Sequence, residues 1–283
     1  MTILVFGKTG QVSRELATFS NTKCLGRGDA DLTDPKSCAA AIRTYMPVAV
    51  INAAAYTAVD KAEEEEPLAA MVNAKAPEAM AQECAALGIP FLHISTDYVF
   101  DGSGTGAWLP EDATGPLGVY GRSKLAGEDA VSAANGIHAI LRTSWVVSAH
   151  GNNFVKTMLR LGAERDTLNI VSDQVGGPTA ARDIAIACHT MVKQLIDDPN
   201  KSGTYHFSGA PDCSWAQFAR AIFDQAGLVC EVKEIPTADY PTPAKRPLNS
   251  RLDCANTFET FGLSRPDWRE SLTDILNELG TVT

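Results

Sequence analysis

The chain opens on Thr2-Ile3-Leu4-Val5-Phe6, an apolar run without alternation, breaks at Gly7-Lys8-Thr9-Gly10-Gln11, and resumes with helical spacing through Val12, Leu16 and Phe19. A short run that is apolar at every position is a strand covered on both faces, so the opening predicts a sheet sandwiched between helix layers. The two glycines let main-chain N–H groups come close to an anion such as a pyrophosphate where the helix begins. Ser13 stands where the usual dinucleotide fingerprint has its third glycine, so the turn alone leaves a cofactor site and an ordinary strand–helix junction both open.

The same alternation continues. Residues 22–25 and 48–52 read as strands, and 35–45 as a helix started by Asp34 and Pro35. The acidic run 63–66 leads into a long alanine-rich helix that reaches Leu87 and ends at Gly88. Residues 90–94 form the next strand, 120–133 a helix and 137–142 another strand. This predicts an α/β protein with a Rossmann-type, doubly wound parallel sheet. Ligands of such sheets lie at the carboxyl ends of the strands. At those ends stand Gly7, residues 53–57, Ser95-Thr96-Asp97 and Thr143-Ser144-Trp145. Past Trp145 the alternation fades, which predicts a smaller, discontinuous C-terminal lobe. Residues 1–145 form the dinucleotide-binding part, completed by about 180–209, and 146–283 are mainly the substrate lobe.

With 283 residues, 45% of them hydrophobic, the chain can bury a substantial core. Its formal net charge of -10 argues against electrostatic capture of nucleic acid or an anionic membrane. No apolar stretch has the length of a membrane span, and the N-terminus enters its first strand without a basic region or cleavage site, so a cytoplasmic protein is expected. Seven scattered cysteines with no Cys-x-x-Cys encode neither a disulfide framework nor a zinc knuckle. The five histidines show no paired ligand spacing, and no metal site is assigned; His93 and His138, inside apolar runs, read as hydrogen-bonded structural residues.

Tyr120 and Lys124 are four residues apart at the start of a helix, hence on one face. Tyrosine titrates near ~10, and a neighbouring ammonium lowers that value, so the pair reads as a general acid or base at work near neutral pH. Thr96 supplies a hydroxyl to steady a developing alkoxide. Tyr-x-x-x-Lys alone is common on solvated helices; its place in this alternation is what gives it weight.

Gly7-x-x-Gly10-Gln11, residues 52–60, Ser95-Thr96-Asp97-Tyr98-Val99-Phe100, Tyr120-x-x-x-Lys124, Thr143-Ser144-Trp145-Val146, Asp173-Gln174 and residues 243–252 closely resemble the dTDP-4-dehydrorhamnose reductases, which are extended short-chain dehydrogenases. The resemblance runs over essentially the whole chain. It implies hydride delivery from NADPH or NADH to C4 of dTDP-4-dehydro-L-rhamnose, giving dTDP-L-rhamnose for surface polysaccharide. By matching positions, Tyr120 donates the proton, Lys124 holds the nicotinamide ribose and acidifies the tyrosine, and Thr96 hydrogen-bonds the reacting oxygen. Gly7, Gly10, Gln11 and Val12 fall at the pyrophosphate, Asp31 and Leu32 near the adenine, Ala55, Tyr56 and Thr57 along the cofactor, and Asp97 and Trp145 at the sugar. Arg246, Asn249, Ser250 and Arg251 are candidates for the dTDP end, where guanidinium groups suit a diphosphate. Gly26-Arg27-Gly28 follows the second strand where many relatives carry an acid, which predicts NADPH over NADH through Arg27. Some relatives bind magnesium between subunits through glutamates. Glu15 is present, but Arg182 stands at the partner position, which speaks against a metal-bridged dimer and leaves a homodimer open. Rival readings are another 4-keto sugar-nucleotide reductase or epimerase, and a non-catalytic regulatory subunit that keeps the dinucleotide fold.

Overall fold

The structure, a computed structural model, describes residues 2–281. Six parallel strands form the central sheet: β1 (Ile3–Phe6), β2 (Thr22–Leu25), β3 (Ala49–Asn52), β4 (Phe91–Thr96), β5 (His138–Thr143) and, from the later chain, Gly203–His206 beside β5. Their spatial order is Gly203–His206, β5, β4, β3, β1, β2. The chain direction across the sheet reverses at β1, so the crevice between the ends of β1 and β3 is a topological switch point.

Period-two burial explains the unalternating sequence. Ile3, Val5, Ala49, Ile51, Ala139 and Leu141 enter one core cluster, while Leu4, Phe6, Val50 and Ile140 enter another on the opposite face. The first face is covered by α1 (Gln11–Leu16) and the long helix Ala181–Asp197, the second by α2 (Pro35–Tyr45) and α3 (Ala76–Leu87). A third cluster, including Val155, Met158, Leu168, Phe218, Ile222, Trp268 and Leu272, is the core of the smaller lobe. There Thr167–Val171 pairs in parallel with Glu231–Ile235. Among the described residues no helix is long and apolar enough to cross a membrane.

One expected element differs. The alanine-rich helix is broken into Glu66–Ala70, a π-helical turn Met71–Lys75, and α3. Pro77 has no N–H to return to the carbonyl four residues back, which frees the Asn73 carbonyl and loosens the ladder there. The helix α4 (Val119–Ala133) packs against this turn. Contact is close because residue 127 is glycine: a Cβ on it would stand 2.1 Å from the Asn73 carbonyl oxygen.

Candidate active site

A cleft of about 630 Å³ runs along the carboxyl ends of β1, β3, β4 and β5. At its floor Gly7 adopts φ +106°, and a Cβ there would press to 3.0 Å from the Ala54 Cβ. Only glycine takes that turn without strain, and it leaves main-chain atoms as the cleft wall. Gly10, Gln11 and Val12 continue the lining. The Gln11 side chain is occupied elsewhere: its Oε1 accepts from Ser148 Oγ at 2.8 Å and Asn153 Nδ2 at 2.9 Å, tying α1 to the smaller lobe.

Ala55 and Thr57 line the cleft, but Tyr56 does not. Its phenol donates to Glu65 Oε2 at 2.6 Å, and that carboxylate is the first reason its pKa is pushed up to about 12. The Tyr56 main chain is fixed by Asn73, whose Oδ1 accepts from Tyr56 N at 2.8 Å and whose Nδ2 donates to Tyr56 O at 3.1 Å and Ser123 Oγ at 2.9 Å. The sequence reading passed over Asn73 because it sits in an alanine-rich helical pattern. Only the π turn aims its amide at the end of β3, and such turns gather at functional sites. Arg27, Asp31 and Leu32 stand beyond β2, outside the cleft lining. Arg27 Nε donates to Asp31 Oδ2 at 3.0 Å, and the Thr33 main chain and this guanidinium hold the Asp31 carboxyl down at about 2.

Thr96, Tyr120 and Lys124 converge on the cleft. Thr96 ends β4, and its hydroxyl donates to Asp97 Oδ1 at 3.0 Å, accepts from Tyr98 N at 3.2 Å, and faces the Tyr120 phenol. Lys124 is 1% exposed; its Nζ donates to Ile94 O at 2.7 Å and lies 3.1 Å from His93 Nε2. His93 Nδ1 in turn lies 3.1 Å from Asn52 Nδ2, so a buried row from the end of β3 fixes the ammonium. Burial lowers the Lys124 pKa to about 8 against the opposing field of Glu128, and holds His93 well below its usual range.

Tyr120 is pushed up to about 12, because desolvation and the nearby Asp97 carboxyl outweigh the Thr96 hydroxyl. The tyrosine therefore keeps its proton at neutral pH, which is the form a proton donor needs.

Asp97 is 2% exposed, and burial raises its carboxyl to about 6, opposed by the Ser250 and Thr96 hydroxyls. Trp145 has φ +48°, a strained conformation for a bulky side chain, and its ring stacks on Trp215 with centroids 3.5 Å apart at 9°. Trp215 Nε1 donates to Gln174 Oε1 at 3.1 Å, and Gln174 Nε2 donates to Thr237 Oγ1 at 3.1 Å. Trp215 carries no local motif and was not singled out from the sequence; its role arises only when the lobe folds onto the sheet.

A second cavity of about 640 Å³ shares Tyr98 and Trp215 with the cleft and is walled by Phe154, Arg165, Tyr240 and Arg246 among others. Of the four residues expected at the nucleotide end, Arg246 alone lines it, paired with Asp60 at 2.8 Å. The Asn249 amide donates to Gly106 O at 2.7 Å and Ser103 O at 3.2 Å, and its Oδ1 accepts from Arg251 Nη1 at 2.9 Å, so it knits a loop and holds Arg251. Ser250 is buried beside Asp97. Away from both cavities Glu15, His150 and Glu278 bring ligand-type atoms within 4.8 Å of one another, a grouping that no sequence spacing showed. Arg182 there pairs with Asp274 at 3.6 Å.

Residues 1–281 match the family described as the RmlD substrate binding domain. The chain is similar to a dTDP-4-dehydrorhamnose reductase of Sinorhizobium fredii, 46% identical over 96% of this chain and 95% of the relative. It is also similar to one from Escherichia coli, 41% identical over 100% and 99%. Among solved structures, a dTDP-4-dehydrorhamnose reductase of Clostridium acetobutylicum superposes with a TM-score of 0.92 at 38% identity over 99% of this chain and 100% of that one. Another from Bacillus anthracis, in complex with NADP, gives 0.90 at 34% identity over 98% and 100%.

Proposed function

The chain belongs to the RmlD substrate binding domain family, with dTDP-4-dehydrorhamnose reductases as full-length relatives, and from that membership we propose that it reduces the C4 ketone of dTDP-4-dehydro-L-rhamnose with NADPH, giving dTDP-L-rhamnose. The observation that carries this reading is the meeting of two cavities at Tyr98 and Trp215, with the Tyr120 phenol, still protonated, at the junction side of the cleft.

The cleft fits a dinucleotide. The Gly7 turn is a cradle that a side chain would fill, and the strand ends leave room for an extended ligand. In this reading Gly7, Gly10, Val12 and the main chain of Gln11 hold the pyrophosphate, Ala55 and Thr57 flank the cofactor, and Arg27 meets the adenosine 2'-phosphate. Lys124, fixed by Ile94 and His93, keeps a proton free for the nicotinamide ribose. Reduced nicotinamide supplies the hydride when bound. Tyr120 then donates its proton to the C4 oxygen, while Thr96 holds that oxygen and Asp97 and Trp145 orient the sugar. Arg246 serves the diphosphate. Residues 1–145 with about 180–209 bind the cofactor and the remainder mainly the sugar nucleotide, as fits a cytoplasmic reaction.

The test is NADPH oxidation by the purified protein against a panel of 4-keto sugar nucleotides. The highest kcat/KM is expected with dTDP-4-dehydro-L-rhamnose. Faster turnover of another 4-keto sugar, or tight NADPH binding with no oxidation by any of them, would overturn the assignment.

A further inference from the structure

Among the described residues two buried side-chain oxygens have no hydrogen-bond partner, Asp97 Oδ2 and Thr143 Oγ1. Both residues line the catalytic cleft, and they are 2% and 4% exposed. Buried polar groups in folded proteins are nearly always paired, and each exception weakens the fold. That both exceptions fall on one wall of one cleft calls for a ligand.

Strand register sets their position. Thr143 of β5 pairs with Thr96 of β4. Side chains at matched positions of adjacent strands leave the same face of the sheet, so Thr143 shares a face with Thr96, whose hydroxyl faces Tyr120. Asp97 is next along the chain, with Oδ1 taken by Thr96 at 3.0 Å; the Ser250 hydroxyl faces this carboxyl but makes no hydrogen bond to Oδ2, which is left over. The next residue after Thr143 behaves differently: Ser144 Oγ donates to Gly177 O at 3.0 Å and is satisfied within the protein. An unmatched acceptor and an unmatched hydroxyl therefore belong to residues that line the cleft together with Thr96 and Tyr120. Their complement is an alcohol on the carbon beside the reacting ketone, which can donate to the carboxyl oxygen and accept from the threonine.

We propose that Thr143 is a specificity-determining residue that, together with Asp97, recognises the hydroxyl next to the reacting ketone. This rests on the reading that the cleft takes a 4-keto sugar. A site built to hydrogen-bond a substrate hydroxyl rejects the analogue that lacks it far more strongly than an apolar pocket rejects a size change.

The experiment compares wild type and Thr143→Val, which keeps the shape and removes the hydroxyl, on dTDP-4-dehydro-L-rhamnose and on its 3-deoxy analogue. The variant is expected to lose about ten- to a hundredfold in kcat/KM on the full substrate, with little further loss on the analogue and an unchanged KM for NADPH. Without ligands it should melt at or above the wild-type temperature, because an unpaired buried oxygen has been removed. A purely structural threonine would instead lower the melting temperature. Such a drop, equal losses on both sugars, a rise confined to the KM for NADPH, or kcat/KM within about twofold of wild type (the mark of an oxygen that meets only water) would each overturn the proposal. Wild-type turnover of the full substrate is measured first. An inert wild type would overturn the parent reading itself, and this one with it, before any variant is compared.

Discussion

The two cavities that meet at Tyr98 and Trp215 are built in different ways. The cleft at the strand ends is lined at its β1 and β3 end by Gly7, Gly10, Ala53, Ala54 and Ala55, and its lysine is fixed by Ile94 O and His93 of β4. The outer cavity is walled by side chains from separate segments, Phe154, Gln174, Trp215, Tyr240 and Arg246, gathered by the packing of the smaller lobe. In the proposed reading, proton transfer rests on groups positioned by β4 and α4, and sugar-nucleotide recognition on side chains that hold one another, as Trp145 stacks on Trp215 and Trp215 donates to Gln174.

The largest effect that could break this comparison belongs to the first region. Tyr120→Phe is expected to lower kcat by ~10²–10⁴-fold with NADPH affinity kept, since only proton transfer is removed. Turnover near wild type, measured beside a cofactor titration, would show that the acid lies elsewhere.

Next comes a stability effect with a definite sign. Burial raises Asp97 to about 6 from the ordinary 3.8, so the native state binds more protons between those values and loses stability as pH rises through them. The resulting penalty at pH 7 is at most about 3 kcal/mol. Asp97→Asn should therefore melt above wild type at pH 7, with the advantage shrinking as pH falls toward 4. A melting difference that is flat across that range would mean that Asp97 is not held in a dry site.

Trp215→Ala tests the outer region. Loss of the stack on Trp145 should raise the KM for the sugar nucleotide about three- to tenfold, the size of an aromatic pair, and leave the KM for NADPH in place. Trp215→Phe should restore part of it. If kcat fell and KM held, the tryptophan would belong with the chemistry and the division between the two regions would fail. The smallest effect is expected at Arg27, an exposed residue paired with Asp31. Arg27→Ala should raise the KM for NADPH by about threefold and spare NADH; equal changes for both cofactors would remove Arg27 from cofactor choice.

The same division governs what was legible in the sequence. The apolar runs of β1 and β3 gave the two-sided sheet because period-two burial sends successive residues to opposite cores, and Thr96, Tyr120 and Lys124 lie at strand and helix ends that a local pattern reveals. The height of the Tyr120 pKa was not legible, because it comes from burial and from the Asp97 carboxyl brought near it by the fold. Asn73 was hidden because a proline four residues on changes the helix type beneath an ordinary helical pattern. Trp215 was hidden because it meets Gln174, whose Asp173-Gln174 motif was legible, only through the lobe's packing, and Asn249, polar and near a ligand region, turned out to have its amide occupied by a loop.

The central claim, hydride to C4 with a proton from Tyr120, is tested most directly with NADPH deuterated at the transferring position and dTDP-4-dehydro-L-rhamnose as acceptor. The account predicts a single deuterium at C4 of dTDP-L-rhamnose, formed by wild type and nearly abolished in Tyr120→Phe. Deuterium at any other carbon, or label transfer at an unchanged rate in the variant, would contradict it.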